Sequence, residues 1–215
     1  MDCGILERVK KLRKEPVRKE IDARLAELKR NFNSEESVFS ELCFCLLTAN
    51  ERAAKGIEIQ KKIGDGFLKL PESKLVEFLK KTGYRFYNVR AKYIMEARAK
   101  YGRIRETIAN IPNNPHRREW LRENFKGLGY KEASHLLRNL GFLDCAILDR
   151  HILRLMHDEK IIGEAPKTLN GKKYIEYEKK LAPICEKLGI RQGELDFYLW
   201  YLDTSRDGRK GSILK

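Results

Sequence analysis

Apolar residues recur every three or four positions along almost the whole chain, and charged residues fill the places between them. That is the period of amphipathic helices, and no convincing β-hairpin interrupts it. Residues 4–13 and 16–31 read as basic amphipathic helices. Asn33 or Ser34 can cap the next one, Glu35 and Glu36 suit its first turn, and Val38, Leu42, Cys45, Leu46 and Ala49 mark it as a core helix. Further helices are predicted over 52–62, closed by Gly64 and Gly66, over 72–80, stopped at Gly83, and over 89–101, capped by Asn88 and ended by Gly102. Residues 110–115, Asn-Ile-Pro-Asn-Asn-Pro, read as a loop. Helices over 116–125, 131–140, 150–157, 173–188 and 192–203 complete the pattern, with a turn at 163–166, a polar connector at 167–171 and a polar tail at 204–215. The expected class is all-α, without internal repeats.

Charge narrows the partners. The 215 residues include 45 Lys and Arg against 31 Asp and Glu, a formal net charge of +14. Such a surplus attracts polyanions, nucleic acid first. The signs are mixed, so a charge-rich surface of the thermophile kind is the competing reading. No run approaches the ~18 apolar residues of a membrane span. The first fourteen residues carry charges where a secretory signal has its apolar stretch, so a cytoplasmic chain is expected. The cysteines are Cys3, Cys43, Cys45, Cys145 and Cys185. Their odd number and lack of a Cys-x-x-Cys pair argue against disulfides and against four-cysteine metal ligation.

The stretch with most chemistry is Trp120-Leu-Arg-Glu-Asn-Phe-Lys-Gly-Leu-Gly-Tyr-Lys-Glu-Ala-Ser-His-Leu-Leu-Arg-Asn-Leu140. Two apolar helices flank Gly127-Leu128-Gly129, which permits a tight turn with positive φ and lets Leu128 fold back between them. The amides at the start of the second helix then suit a phosphate. An ordinary glycine-capped helical pair is the alternative. Lys131 falls in the first turn of that second helix, at the positive end of the dipole. The place disfavours an ammonium and favours a nucleophilic amine, unless the side chain is simply solvated. Asp149, eighteen residues on, can cap the helix that begins Arg150-His151 and can also be aimed at a cleft.

Gly-Leu-Gly-Tyr-Lys131-Glu-Ala followed by Leu-Asp149-Arg-His-Ile resembles the signature of the helix–hairpin–helix DNA glycosylases, the endonuclease III superfamily. The resemblance implies two α-helical lobes flanking a DNA-binding cleft. One is a barrel-like lobe over 32–131 that ends in the hairpin; the other combines 1–31 with 132–215. It implies Lys131 as nucleophile and Asp149 as the catalytic acid. Leu46-Leu-Thr-Ala-Asn50 looks like the segment whose polar end fills the gap left by a flipped base. Gly127, Leu128, Gly129, Asn50 and Arg150 are thus the expected DNA-binding residues.

Endonuclease III itself carries an iron–sulfur cluster that this chain's cysteines do not match. The small bacterial and archaeal 8-oxoguanine DNA glycosylase/lyases lack it too. This chain resembles them in Gly129-Tyr-Lys-Glu-Ala-Ser-His135, in Leu195-Asp-Phe-Tyr-Leu-Trp200-Tyr and in a closing Lys215, although the stretch from Trp200 to Lys215 is longer than that pattern. Asp196 and Trp200, four apart, are expected to share a helix face, the carboxylate accepting from guanine N1–H and N2–H while the indole stacks on the ring. Phe86, His135 and Lys215 complete the expected base-recognition set. For Trp200 and Phe86 core packing competes with that role. For Asp196 the competitor is a surface salt bridge, and for His135 a structural histidine.

The implied activity is removal of 8-oxoguanine from duplex DNA with cleavage of the abasic site, by a monomer, with no required cofactor. A monovalent cation at 127–129 is compatible with it. A related enzyme for oxidised pyrimidines and a non-catalytic helix–hairpin–helix DNA-binding module are the alternatives.

Overall fold

The computed structural model describes residues 4–206 and 213. Lys215 and Cys3 lie outside the described residues. The described chain is helical throughout: α1 (Gly4–Leu12), α2 (Val17–Arg30), α3 (Glu35–Thr48), α4 (Ala53–Ile63), α5 (Gly66–Lys69), α6 (Glu72–Lys81), α7 (Tyr87–Arg98), α8 (Ile104–Asn110), α9 (Asn114–Asn124), α10 (Tyr130–Asn139), α11 (Arg150–Asp158), α12 (Gly171–Leu188) and α13 (Gln192–Thr204). No helix among the described residues is long and apolar enough to cross a membrane.

Most boundaries follow local chemistry. Ser34 caps α3 by accepting from the Ser37 amide at 3.1 Å, and Asn113 caps α9 by accepting from His116 N at 3.0 Å. Asn114 and Pro115, expected in a loop, therefore form the first turn of α9, where a proline fits without breaking a bond. The helix expected to begin after Asn88 begins at Tyr87, with Asn88 inside its first turn. Two helices had no expectation. α5 spans four residues between Gly64 and Leu70, and α8 shows a single Ile104/Ile108 repeat, so neither is long enough to establish a period.

The buried side chains form two cores. The first runs from Val38 to Cys145 and is centred on α3, whose Leu42, Cys43, Cys45, Leu46 and Leu47 are fully buried. The second joins α1 and α2 to the chain after Ala146, including α11, α12 and α13. The division differs from the expected break at residue 131. Ala133, Leu136, Leu137 and Leu140 of α10 pack into the first core, against α3 and α9, so the chain changes lobe between Cys145 and Ala146. The opposite face of α10 meets the second lobe. Arg138, completely buried, turns towards the second lobe and donates to Asp196 of α13 at 2.6 Å.

That ion pair yields a stability prediction. Desolvating two charges largely cancels their attraction, whereas removing one partner strands the other. Asp196→Ala should therefore cost about 3–5 kcal/mol in urea unfolding. Arg138→Met combined with Asp196→Leu should recover most of that loss; equal destabilisation by both variants would contradict the account.

Candidate nucleic-acid interface and active site

A cleft of about 1720 Å³ opens where the two lobes meet. It exceeds the roughly 300–1,000 Å³ of ordinary small-ligand pockets, as suits a polymer. Its walls carry Arg52, Lys55, Arg85, Arg122, Lys131, Arg150 and Lys167 against the carboxylates of Glu51, Glu132 and Asp149. The positive surplus is thus gathered on a concave surface, where field lines concentrate.

The hairpin stands on one wall. Gly127 has φ +91°, and a Cβ there would lie 2.6 Å from the Tyr93 ring and 3.0 Å from Arg90 Nη1, so both the turn and the close approach require glycine. Gly129 is extended, unlike Gly127. Leu128 is buried between the flanking helices, and its amide donates to Phe125 O at 3.2 Å. Glu132 accepts from the Gly129 amide at 3.3 Å and closes the first turn of α10. Lys131 is one-quarter exposed, and its Nζ lies 3.5 Å from Glu132 Oε1.

Asp149 faces the same cleft from the start of α11. Its Oδ1 accepts from the amides of His151 at 2.9 Å and Ile152 at 3.0 Å. The cap therefore holds the carboxylate in one orientation, with the helix dipole favouring its charge. Asn50, also on the cleft, has φ +61°, uncommon for a residue with a Cβ. Arg85 Nη2 donates to Asn50 O at 2.8 Å and Arg90 Nη2 to Ala49 O at 3.2 Å, so the surroundings fix this conformation. Arg150 is exposed on the rim and donates from Nε to His151 Nε2 at 3.3 Å.

The expected base-recognition set divides. Trp200 lines the cleft, half-buried, and meets the His151 ring edge-to-face at 4.7 Å. His135 lines it too, largely buried, with its ring packed edge-to-face against Phe44 at 5.6 Å. Asp196 is corrected: it does not line the cleft but lies buried under it, bonded to Arg138. Phe86 is exposed next to the cleft-lining Arg85. Its ring is flanked by Tyr84 and Arg85.

Several cleft groups carried no sequence signal. His151 Nδ1 lies 2.7 Å from Asp203 Oδ2, and Arg154 Nη2 donates to the same buried carboxylate at 2.7 and 2.9 Å. Burial alone would raise the Asp203 carboxyl, but the hydrogen bonds from Arg154 and His151 outweigh it and hold it below the usual range. Asp203 thus braces His151, and His151 braces Trp200. Tyr130, at the start of α10, stacks on Tyr174 of α12, and Arg122 lies 3.8 Å from the Tyr130 ring centre. Among the described residues no three His, Cys, Asp or Glu side chains converge as metal ligands.

The family model described as "8-oxoguanine DNA glycosylase" matches residues 21–190. The 8-oxoguanine DNA glycosylase/AP lyase of Methanocaldococcus jannaschii is 47% identical over 203 residues, covering 94% of this chain and 98% of that protein. Its namesake from Korarchaeum cryptofilum is 43% identical over 198 residues, covering 92% and 94%. Among solved structures, the M. jannaschii 8-oxoguanine glycosylase/lyase in complex with a 15mer DNA containing 8-oxoguanine superposes with a TM-score of 0.91 at 46% identity, covering 98% of this chain and 99% of that one. The 8-oxoguanine DNA glycosylase of Thermotoga maritima gives a TM-score of 0.86 at 40% identity, covering 96% and 98%.

Two predictions come from this geometry. Gly127→Ala places a Cβ at positive φ and against Tyr93, a strain of order 1–3 kcal/mol at the hairpin. Its duplex affinity, measured by fluorescence anisotropy, should fall at least tenfold, while Gly163→Ala, where a Cβ meets nothing and φ is not positive, should leave it unchanged. Asp203, whose folded carboxyl is held down, stabilises the fold above the unfolded value of about 4, and that contribution is lost as pH falls through the folded value. The melting-temperature gap between the parent and Asp203→Asn should therefore be full at pH 7 and shrink below about pH 4.

Proposed function

The chain belongs to the 8-oxoguanine DNA glycosylase family, and from that premise we propose that it excises 8-oxoguanine from duplex DNA and then cuts the strand at the abasic site. The observation that carries this reading is the pairing of Lys131 and Asp149 on the walls of one basic cleft. Each stands at a helix start; Asp149 is held by the amides of His151 and Ile152, and Lys131 Nζ lies 3.5 Å from Glu132 Oε1.

In this mechanism Gly127, Leu128 and Gly129 hold a backbone phosphate at the start of α10, and Arg150 contacts another from the rim. A monovalent cation on the hairpin carbonyls would add to that grip. The lesion turns out of the stack into the cleft, Asn50 fills the vacated place, and Trp200 stacks on the base. The Lys131 amine attacks C1′ as the C1′–N9 bond breaks, and the bond's electron pair leaves with the base. Asp149 stabilises positive charge on the sugar and takes the proton that Lys131 releases. The C1′–O4′ bond then breaks, O4′ takes back the proton held by Asp149, and a Schiff base forms between Lys131 and C1′. Solvent water takes a C2′ proton, the electron pair it leaves forms the C2′–C3′ double bond and expels the 3′ phosphate oxygen, which breaks the strand, and hydrolysis of the Schiff base releases the lysine. No step calls for a metal or a redox partner. Both reacting residues and both cleft walls come from one chain, which supports action as a monomer, and the DNA substrate supports a cytoplasmic site of action.

Borohydride trapping tests the reading. With a duplex holding one 8-oxoguanine opposite cytosine, a covalent protein–DNA adduct is expected, and Lys131→Gln should abolish it. Excision by that variant should fall at least ~10³-fold, with duplex affinity kept within a few-fold. An adduct on an oxidised-pyrimidine duplex instead would overturn the lesion assignment. Normal cutting by Lys131→Gln would overturn the mechanism.

A further inference from the structure

Lys131 and Asp149 sit on different helices in different lobes, so something must set their separation. Tyr174 of α12 lies between those two helix starts, buried at the base of the cleft. Its hydroxyl donates to Ala146 O at 2.8 Å and accepts from Leu148 N at 3.0 Å. Leu148 immediately precedes Asp149. One turn further along α12, Glu178 Oε1 accepts from Ala146 N at 2.8 Å. Both backbone groups of Ala146 and the amide of Leu148 are therefore held by side chains of α12. The other side of Tyr174 reaches α10: its ring stacks on Tyr130 with centroids 5.3 Å apart and planes 29° apart. Tyr130 immediately precedes Lys131, and the Arg118 guanidinium lies 5.3 Å from the Tyr130 ring and 5.6 Å from the Tyr174 ring.

We propose that Tyr174 is a positioning residue for base excision, a single side chain that ties the strand leading to Asp149 to the helix start carrying Lys131. The inference rests on those two residues being the reacting pair. A tyrosine that only filled the core would need no hydroxyl, because a phenylalanine ring buries the same apolar surface. Here the hydroxyl satisfies one backbone donor and one backbone acceptor that are otherwise buried beside the cleft. Burial pushes the phenol well above its usual range, so it remains a neutral donor throughout the working pH of the enzyme. Without it, the two backbone groups must seek other partners, and the 146–148 segment can do so only by moving. A shift of about 1 Å between a nucleophile and its acid costs on the order of 10²-fold in rate.

The test is Tyr174→Phe, which keeps the stack on Tyr130 and removes the oxygen. Single-turnover excision of 8-oxoguanine, measured well below the melting transition, should slow at least tenfold while the duplex Kd stays within twofold. A purely structural role would lower the melting temperature and leave that rate alone. Introduced into Asp149→Asn, the same substitution should change the residual rate less than twofold, because the carboxylate it positions is gone. A rate within twofold of the parent, or losses that multiply in the double variant, would overturn the proposal. Should Tyr174→Phe not fold, Tyr130→Leu breaks the stack from its more exposed side. It should slow both excision and cutting of a ready-made abasic site at least tenfold, and unchanged rates would again overturn it. These failures differ from failure of the parent reading, in which Lys131→Gln itself keeps cutting.

Discussion

The buried ion pair between Arg118 and Glu178 fixes how the two lobes meet. Arg118 belongs to α9 on the first core and Glu178 to α12 on the second. The contact is bidentate, Nη1 to Oε1 at 2.6 Å and Nη2 to Oε2 at 2.9 Å, with Ser134 Oγ a further partner of Arg118 at 3.3 Å. Arg138 and Asp196 repeat the device between α10 and α13. Neither pair is a large net stabiliser, since each ion gives up several kcal/mol of hydration. Their effect is on geometry. Any movement that opened the lobes would strand buried charges on both sides at once, and the planar guanidinium accepts few alternative arrangements. The cleft is consequently a preformed feature, and the reacting side chains inherit its rigidity.

The same pairs explain which features could be read in advance. Helix starts were legible at Ser34 and Asp149, where the cap is a side chain of the same segment, but not at Asn113, a cap that lies in a stretch rich in loop-forming residues. The hairpin was legible because a positive φ next to a crowded aromatic ring leaves only glycine at Gly127. Asp196 was misread for a specific reason. Residues four apart are only about 40° apart around a helix, but α13 is enclosed on most sides, with Leu195, Phe197, Tyr198 and Leu199 all buried. A shared face then says little about which neighbour each residue meets. The neighbour of Asp196 is Arg138, distant in sequence, and that of Trp200 is His151. The lobe boundary was displaced on similar grounds, since α10 gives its apolar face to one core and Arg138 to the other.

Both readings of the net charge describe part of the surface. Away from the cleft, lysines and glutamates pair along single helices. Glu77 sits between Lys74 and Lys81. These two lysines hold its carboxyl down at about 2. Such exposed pairs contribute little to stability and are screened by salt. On the cleft wall, by contrast, Arg52, Lys55, Arg85, Arg122, Arg150 and Lys167 outnumber the carboxylates. Mixed charge on the convex surface leaves the concave one as the place where a polyanion gains most.

The reacting pair shows why a short motif can carry so much. Asp149 must cap α11, and Glu132 must satisfy the Gly129 amide for α10 to begin where it does. Those are requirements of helix formation and would hold in a protein without chemistry. They nonetheless place one carboxylate and one amine at adjacent helix starts, with Glu132 close enough to Lys131 to offset the unfavourable dipole that the lysine meets there. The local bonds that make the helices are therefore the ones that aim the side chains. Tertiary structure has to add only the distance between the two starts, and it does so through contacts far apart in sequence, from α9 and α12, which the motif does not contain.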